Sequence, residues 1–453
     1  MTPYEQLDQW VQNHFEEQVK FLQALVRIPT DTPPGKNAPH AEQTSLMLKD
    51  MGFSAEHHSV PTEVVKAAGL ESITNLIVRQ SFSPQGPQDQ EPLQLKSPWG
   101  ITLAMNAHGD VVPPGEGWEH DPYGAQIEDG YLYGRASAVS KSDFSTFTFA
   151  LRALKSLSET LTDGKAQGSF APPLGQVELH FTYDEEFGGE LGPGWLLKHQ
   201  LTKPNLMLAA GFSYEVVTAH NGCLQMEVTL QGKMAHAAIP QSGSDALQAA
   251  THVLNALYAL NEDYKAITSG IVGIQHPYLN VGTIQGGTNT NVVPGRVSFK
   301  LDRRMIPEED SSSVEHSIRA TIQNAIEHFN TLHPSQEPIK VEIKRMLLAE
   351  SMKPQAAQAP LIEGLQKHAH TVFGEVIPAV GTPLYTDVRL YAEHGVPGVI
   401  YGAGPRTVLE SRAKRADERL LLSDLLKATQ VVARTLYDLM SEPQAQKPKN
   451  IQN

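Results

Sequence analysis

The chain holds 453 residues, 40% of them hydrophobic, with a net charge of −14 at pH 7; that length exceeds what one hydrophobic core usually serves, so two domains are expected. The negative balance argues against nucleic acid and anionic membranes as partners, and no apolar run is long enough to span a bilayer. The lone Cys223 excludes an internal disulfide framework, and with no basic-then-apolar leader at the N-terminus the expectation is a soluble cytoplasmic protein.

Leu7, Val11, Phe15, Val19, Leu22 and Val26 recur every three to four residues and predict one amphipathic helix stopped by Pro29. A second helix is predicted from Ala41 to Met51, and a strand over Ile73–Val78. The Gln/Pro/Ser-rich stretch Ser81–Pro98 predicts a surface loop. Ile101–Ala107 is a short apolar run suited to a strand buried on both faces. Phe144–Leu157 predicts a helix, Ser158–Gly175 a polar insertion, and Val177–Tyr183 and Leu206–Ala210 two further strands. Alternating β and α of this kind predicts a layered α/β/α domain.

Near Ala219 the texture changes. Leu224–Leu230 and Arg296–Arg303 alternate polar and apolar, with helices predicted over Ser244–Leu260 and Glu309–Leu332. This predicts a small α+β domain inserted into the first. The expected division is 1–218 and 334–440 for the first domain, 219–333 for the insert, and 441–453 for a disordered tail.

Two strand ends carry chemistry. The apolar run ends in His108 and Asp110. Ligand sites in open α/β sheets lie beyond the carboxyl ends of strands. A carboxylate two residues from an imidazole can orient it, as a metal-ligating histidine requires. The next strand runs into Asp184-Glu185-Glu186. Side chains alternate across a strand, which gives the adjacent glutamates different tasks: one binds a metal, the other acts as general base to a water.

Seven ordered motifs resemble those of the co-catalytic zinc amidohydrolases, the family of acetylornithine deacetylase, succinyl-diaminopimelate desuccinylase, aminoacylase and glutamate carboxypeptidase. They are His108–Pro113, Trp118–Tyr123, Asp129–Arg135, Asp184–Gly188, Gly232–Pro240, Gly286–Pro294 and Asp302–Pro307. The resemblance implies a catalytic domain with an inserted lid, through which such proteins commonly dimerise. It implies that His108 and Glu186 bind zinc, that Asp110 orients His108, and that Glu185 is the general base. It further implies that His236 stabilises the oxyanion, and that Asn291 and Arg304 hold a substrate carboxylate. The implied reaction is hydrolysis of the amide of an N-acyl amino acid or small peptide, of deacetylase, desuccinylase or carboxypeptidase type.

The pattern departs at three ligand positions. Val139 stands where the bridging aspartate belongs, Phe212 where a second-zinc carboxylate belongs, and Lys414 where the last histidine belongs. One zinc ion or none is therefore expected, since a catalytic zinc usually keeps three protein ligands. Asp143 and Asp387 are candidate replacement oxygen donors. Lys141, Lys414, Arg406 and Arg412 are the cations available to stand where zinc would sit. The alternative functions are a non-catalytic ligand-binding descendant and a serine enzyme using Ser140 or Ser142 with Lys141.

Overall fold

The computed structural model describes residues 1–89, 97, 99–163 and 170–441. The chain forms two compact units. One comprises residues 1–218, 354–379 and 390–453, the other residues 219–353 and 380–389.

The first unit is a layered α/β fold on a mixed sheet with a parallel centre. Six successive strands run in the order Ala55–Ser59, Thr74–Ser83, Gly175–Thr182, Thr102–His108, Leu206–Ala209, Gly398–Ile400. The last four are mutually parallel. Their residues are almost all buried, as parallel strands covered on both faces require. In this parallel pairing His108 stands opposite Thr182, and the amide of Gly109 donates to the Thr182 carbonyl at 2.8 Å. Two chain segments therefore leave the sheet side by side at one edge, carrying His108–Asp110 and Asp184–Glu186.

The helix Lys141–Thr162 buries Phe144, Phe147, Leu151 and Leu154, at three- to four-residue spacing. Phe144 stacks on Phe181 of the sheet with centroids 4.0 Å apart. The helix Leu422–Ser441 adds Val432, Leu436 and Met440 to the same core.

Several boundaries differ from expectation. The first predicted helix is two, Pro3–Asn13 and Phe15–Val26, divided at His14, whose backbone (φ −105°, ψ 10°) leaves helical angles. The His14 ring stacks on Trp10 at 3.9 Å. The stretch from Ser81 does not begin as a loop: Thr74–Ser83 is one strand, Phe82 is buried, and Gly86–Asp89 returns antiparallel beside it. The polar segment after Leu157 continues the helix to Thr162, with the Thr160 and Thr162 hydroxyls donating back to the carbonyls of Ser156 and Ser158. The expected disordered tail beyond Ser441 lies outside the described residues.

The second unit is an antiparallel four-stranded sheet in the order Tyr278–Gly286, Arg296–Met305, Gly222–Gln231, Lys340–Ala349. Helices Ala246–Tyr264 and Ser311–Leu332, the latter through Ile318 and Ile322, share its core with Leu224, Val228 and Phe299. Aspartates cap both: Asp245 accepts from Leu247 N at 2.9 Å and Asp310 from Ser313 N at 2.8 Å. The insert does not end at 333, nor does the first domain resume at 334. Lys340–Ala349 pairs with Gly222–Gln231, so the compact unit runs to Lys353.

Candidate functional site

The strand tips gather His108, Asp110, Glu185 and Glu186. The His108 Nδ1 lies 3.0 Å from the Asp110 carbonyl and 3.6 Å from its Oδ1. Its Nε2 lies 3.9 Å from Glu185 Oε2. Asp110 is fully buried; its Oδ2 accepts from the Glu186 amide at 3.0 Å, while Oδ1 has no hydrogen-bond partner among the described residues. Asp110 thus ties the two tips together, one carboxyl facing the imidazole and the acidic turn at once.

Glu185 and Glu186 do not continue the strand. They begin a 3₁₀ turn, Glu185–Phe187, closed by Gly188 at φ +102°. Alternation across a strand is therefore not what separates them. The turn directs Glu185 towards His108, while Glu186 Oε2 meets Lys414 Nζ at 2.6 Å. Burial would lower the His108 imidazole, but the charges of Glu185, Asp110 and Glu186 outweigh it and push it up to about 10. Burial raises the Glu185 carboxyl above the usual range, partly offset by the positive charge of His108.

Ser140 holds His108 from behind. Its Oγ accepts from the His108 amide at 2.8 Å and donates to the His108 carbonyl at 2.9 Å. Both roles of that hydroxyl are committed to backbone. Ser142 donates to the Ala138 carbonyl at 2.9 Å, and Lys141 to the Ile28 carbonyl at 2.9 Å. The serine–lysine arrangement is therefore structural. Asp143 is neither a helix cap nor a metal donor: its oxygens accept from Ala403 N at 2.7 Å and Gly211 N at 3.1 Å. It joins two loops, and burial pushes its carboxyl up to about 8.

Lys414 sits on a loop whose backbone is tightly specified. Lys414 and Asp417 adopt left-handed φ values of +60° and +55°, conformations that non-glycine residues keep only where the surroundings impose them. Asp417 Oδ1 accepts from Glu119 N at 3.1 Å and His120 N at 3.0 Å. The buried Glu418 pairs with Arg135 at 2.7 Å and accepts from Ala138 N at 3.2 Å. These anchors aim the lysine at Glu186. The sequence supplied the position of Lys414 but not its contact.

The remaining predicted residues belong to the second unit. His236 is exposed on the two-residue strand Ala235–His236. Its neighbour Ala237 donates to the Asn291 carbonyl at 3.0 Å, and His236 pairs in register with Val292. This places His236 opposite the strand Val292–Val293, with Asn291 in the turn that leads into it. The His236 Nδ1 accepts from Ala238 N at 3.1 Å, which assigns the proton of the neutral ring to Nε2. Arg304 stands elsewhere in the unit, on Arg296–Met305, with its Nε 2.7 Å from Asp302 and its guanidinium 5.5 Å from the Tyr385 ring. Asp387 is also in this unit and buried.

Residues 104–438 match the profile of peptidase family M20/M25/M40. The chain belongs to that family. It is 24% identical over 420 residues to the succinyl-diaminopimelate desuccinylase of Helicobacter pylori, covering 90% of this chain and 95% of that one. Among solved structures it resembles the Saccharomyces cerevisiae di-peptidase Dug1p (TM-score 0.71, 13% identity, 98% and 100% coverage) and human carnosine dipeptidase 1 (TM-score 0.69, 16% identity, 97% and 99%). A Bacillus subtilis neighbour (TM-score 0.61, 14% identity, 95% and 99% coverage) is described as a dinuclear metal binding peptidase of family M20. By family the chain is an amide-bond hydrolase of the metallopeptidase type.

The residues present do not fit a two-metal centre of this M20 kind. Val139 and Phe212 bring no donor atoms, and the Lys414 ammonium is bonded directly to Glu186. Among the described residues no group of three or more His, Cys, Asp or Glu side chains is arranged to hold a metal ion. Of the expected ligand set, His108 and Glu186 are the two donors that remain.

Proposed function

We propose that the protein hydrolyses the amide bond of an N-acyl amino acid or small peptide, with Glu185 as general base. The observation that carries the reading is the Glu185 carboxylate, raised by burial, 3.9 Å from the His108 ring at a parallel-strand tip. A base with a raised carboxyl is suited to work near neutral pH. Glu185 takes a proton from water, and the water oxygen bonds to the carbonyl carbon. The C–N bond then breaks as Glu185 returns the proton to the leaving nitrogen. Asp110 and Ser140 position His108, and His108 and Lys414 supply positive charge beside the base.

His236 is the donor assigned to the tetrahedral oxyanion, in keeping with the proton on Nε2. Asn291 and Arg304 are assigned to a substrate carboxylate. Asp302 takes the Nε and Nη2 edge of Arg304, so its Nη1 end is the one offered to an anion. The edge strand Tyr278–Gly286 exposes Tyr278 and Ile284, which supports a homodimer formed through the second unit. The net charge of −14 and the lone buried cysteine support a cytoplasmic protein working on a small molecule without nucleic acid. No helix among the described residues is long and apolar enough to cross a membrane.

The test is amine release from a panel of N-acetyl, N-succinyl and N-aminoacyl amino acids. The reading expects turnover of at least one class, reduced about 10²–10³-fold by His236→Ala. Saturable binding across the panel without release of any amine would instead establish a ligand-binding descendant.

A further inference from the structure

We propose that the Lys414 ammonium occupies the place of a metal cation, so that the strand-tip site operates with a built-in positive charge and no bound divalent ion. This deepens the hydrolase reading and rests on the same site. It is tested by metal binding, so either proposal can fail alone.

Three observations carry it. The first is contact: Lys414 Nζ lies 2.6 Å from Glu186 Oε2, on the oxygen a metal would need. The second is direction. The Lys414 side chain is 62% exposed whereas Glu186 beneath it is 8% exposed, so the lysine enters from solvent and its charged end covers the carboxylate. The third is the loss of the other donors. Val139 and Phe212 offer only carbon at two further ligand positions, so no carboxylate remains there for a cation to neutralise. A dication beside an ammonium would meet repulsion in place of these missing ligands.

Side-chain length permits the exchange. A lysine outreaches a histidine by about one zinc–nitrogen bond, about 2 Å. At position 414 the ammonium nitrogen therefore falls where a metal held by a histidine would lie. The loop that presents it is fixed by Asp417 and Glu418 through Glu119, His120, Arg135 and Ala138. Lys414 is thus held in place by groups that take no part in the chemistry.

The experiment titrates Zn²⁺ into the full-length chain by calorimetry, with Co²⁺ absorption spectra reporting the ligand set. The proposal expects the wild type to show no binding that His108→Ala removes, and exhaustive chelation to leave its melting midpoint unchanged. Lys414→His supplies a third donor beside His108 and Glu186. It is expected to take up one Zn²⁺ per chain at least a hundredfold more tightly than the wild type, and to lose it again when combined with His108→Ala. Lys414 is largely exposed, so the variant is expected to keep the wild-type urea midpoint. Zn²⁺ binding by the wild type that His108→Ala abolishes would overturn the proposal. So would a chelation-induced fall in melting midpoint restored by Zn²⁺, or a folded Lys414→His that gains no affinity.

Discussion

Two groups of buried charge share the strand Gly175–Thr182, one in mid-sheet and one beyond its tip, and they are built oppositely. In mid-sheet, Glu178 pairs with Arg79 and accepts from Gln176 at 2.7 Å, from Thr202 at 2.5 Å and from His180 at 2.8 Å. His180 in turn meets the Tyr391 hydroxyl at 2.7 Å, and Arg79 reaches Glu56 at 2.7 Å. Burial would raise Glu178, yet its partners outweigh burial and hold it below the usual carboxylate range. At the tips the ledger is unfinished. Among the described residues Asp110 Oδ1 has no hydrogen-bond partner, and burial leaves Glu185 raised. A saturated network holds a sheet together, whereas an unsaturated one keeps lone pairs for a ligand or a proton.

Breaking the saturated group is expected to have the largest effect on stability. Glu178→Ala removes the buried acceptor shared by Arg79, His180 and Thr202 and should cost about 3–5 kcal/mol, read from urea unfolding. Glu185→Gln at the tip should stay within about 1 kcal/mol of wild type, because it removes a carboxylate that burial already disfavours. A larger loss from Glu185→Gln than from Glu178→Ala would reverse the comparison.

Ser140→Ala sharpens the contrast at the tip itself. It leaves the His108 amide without its acceptor at a nearly buried position, for an expected cost of about 1–3 kcal/mol. It should also loosen His108 and lower turnover. A variant with wild-type stability and turnover would show that Ser140 does not position the ring.

The smallest effect is on pH dependence. The folded pKa of Glu178 is depressed, so its stabilisation is complete above the ordinary value of 4.5 and is lost as pH falls through the lower folded value. The stability gap between wild type and Glu178→Gln should narrow on acidification below that point. A gap that widened would place the sign of the shift the other way.

The sequence displays some of this and hides the rest for identifiable reasons. His108, Asp110 and the acidic pair are legible because an apolar run ending in polar residues marks a strand tip, and parallel pairing then brings two tips together. The 3₁₀ turn at Glu185–Phe187 is not legible, since nothing in Asp-Glu-Glu says where a strand stops. The sequence assigns 334–440 to the first domain, and nothing in Lys340–Ala349 names Gly222–Gln231 as its pairing partner. Asp143 reads as an oxygen donor to a metal because its true partners are backbone amides of Gly211 and Ala403, which carry no side-chain signal. The Lys414–Glu186 pair spans 228 residues and depends on left-handed backbone at non-glycine positions, which composition does not mark.

The most direct measurement is kcat for Glu185→Gln beside its urea midpoint, on whichever acyl amino acid the wild type turns over. The account predicts a fall of about 10²–10⁴-fold in kcat with an almost unchanged midpoint. Undiminished kcat in a folded variant would contradict it, because the water would then be activated by some group other than the carboxylate beside His108.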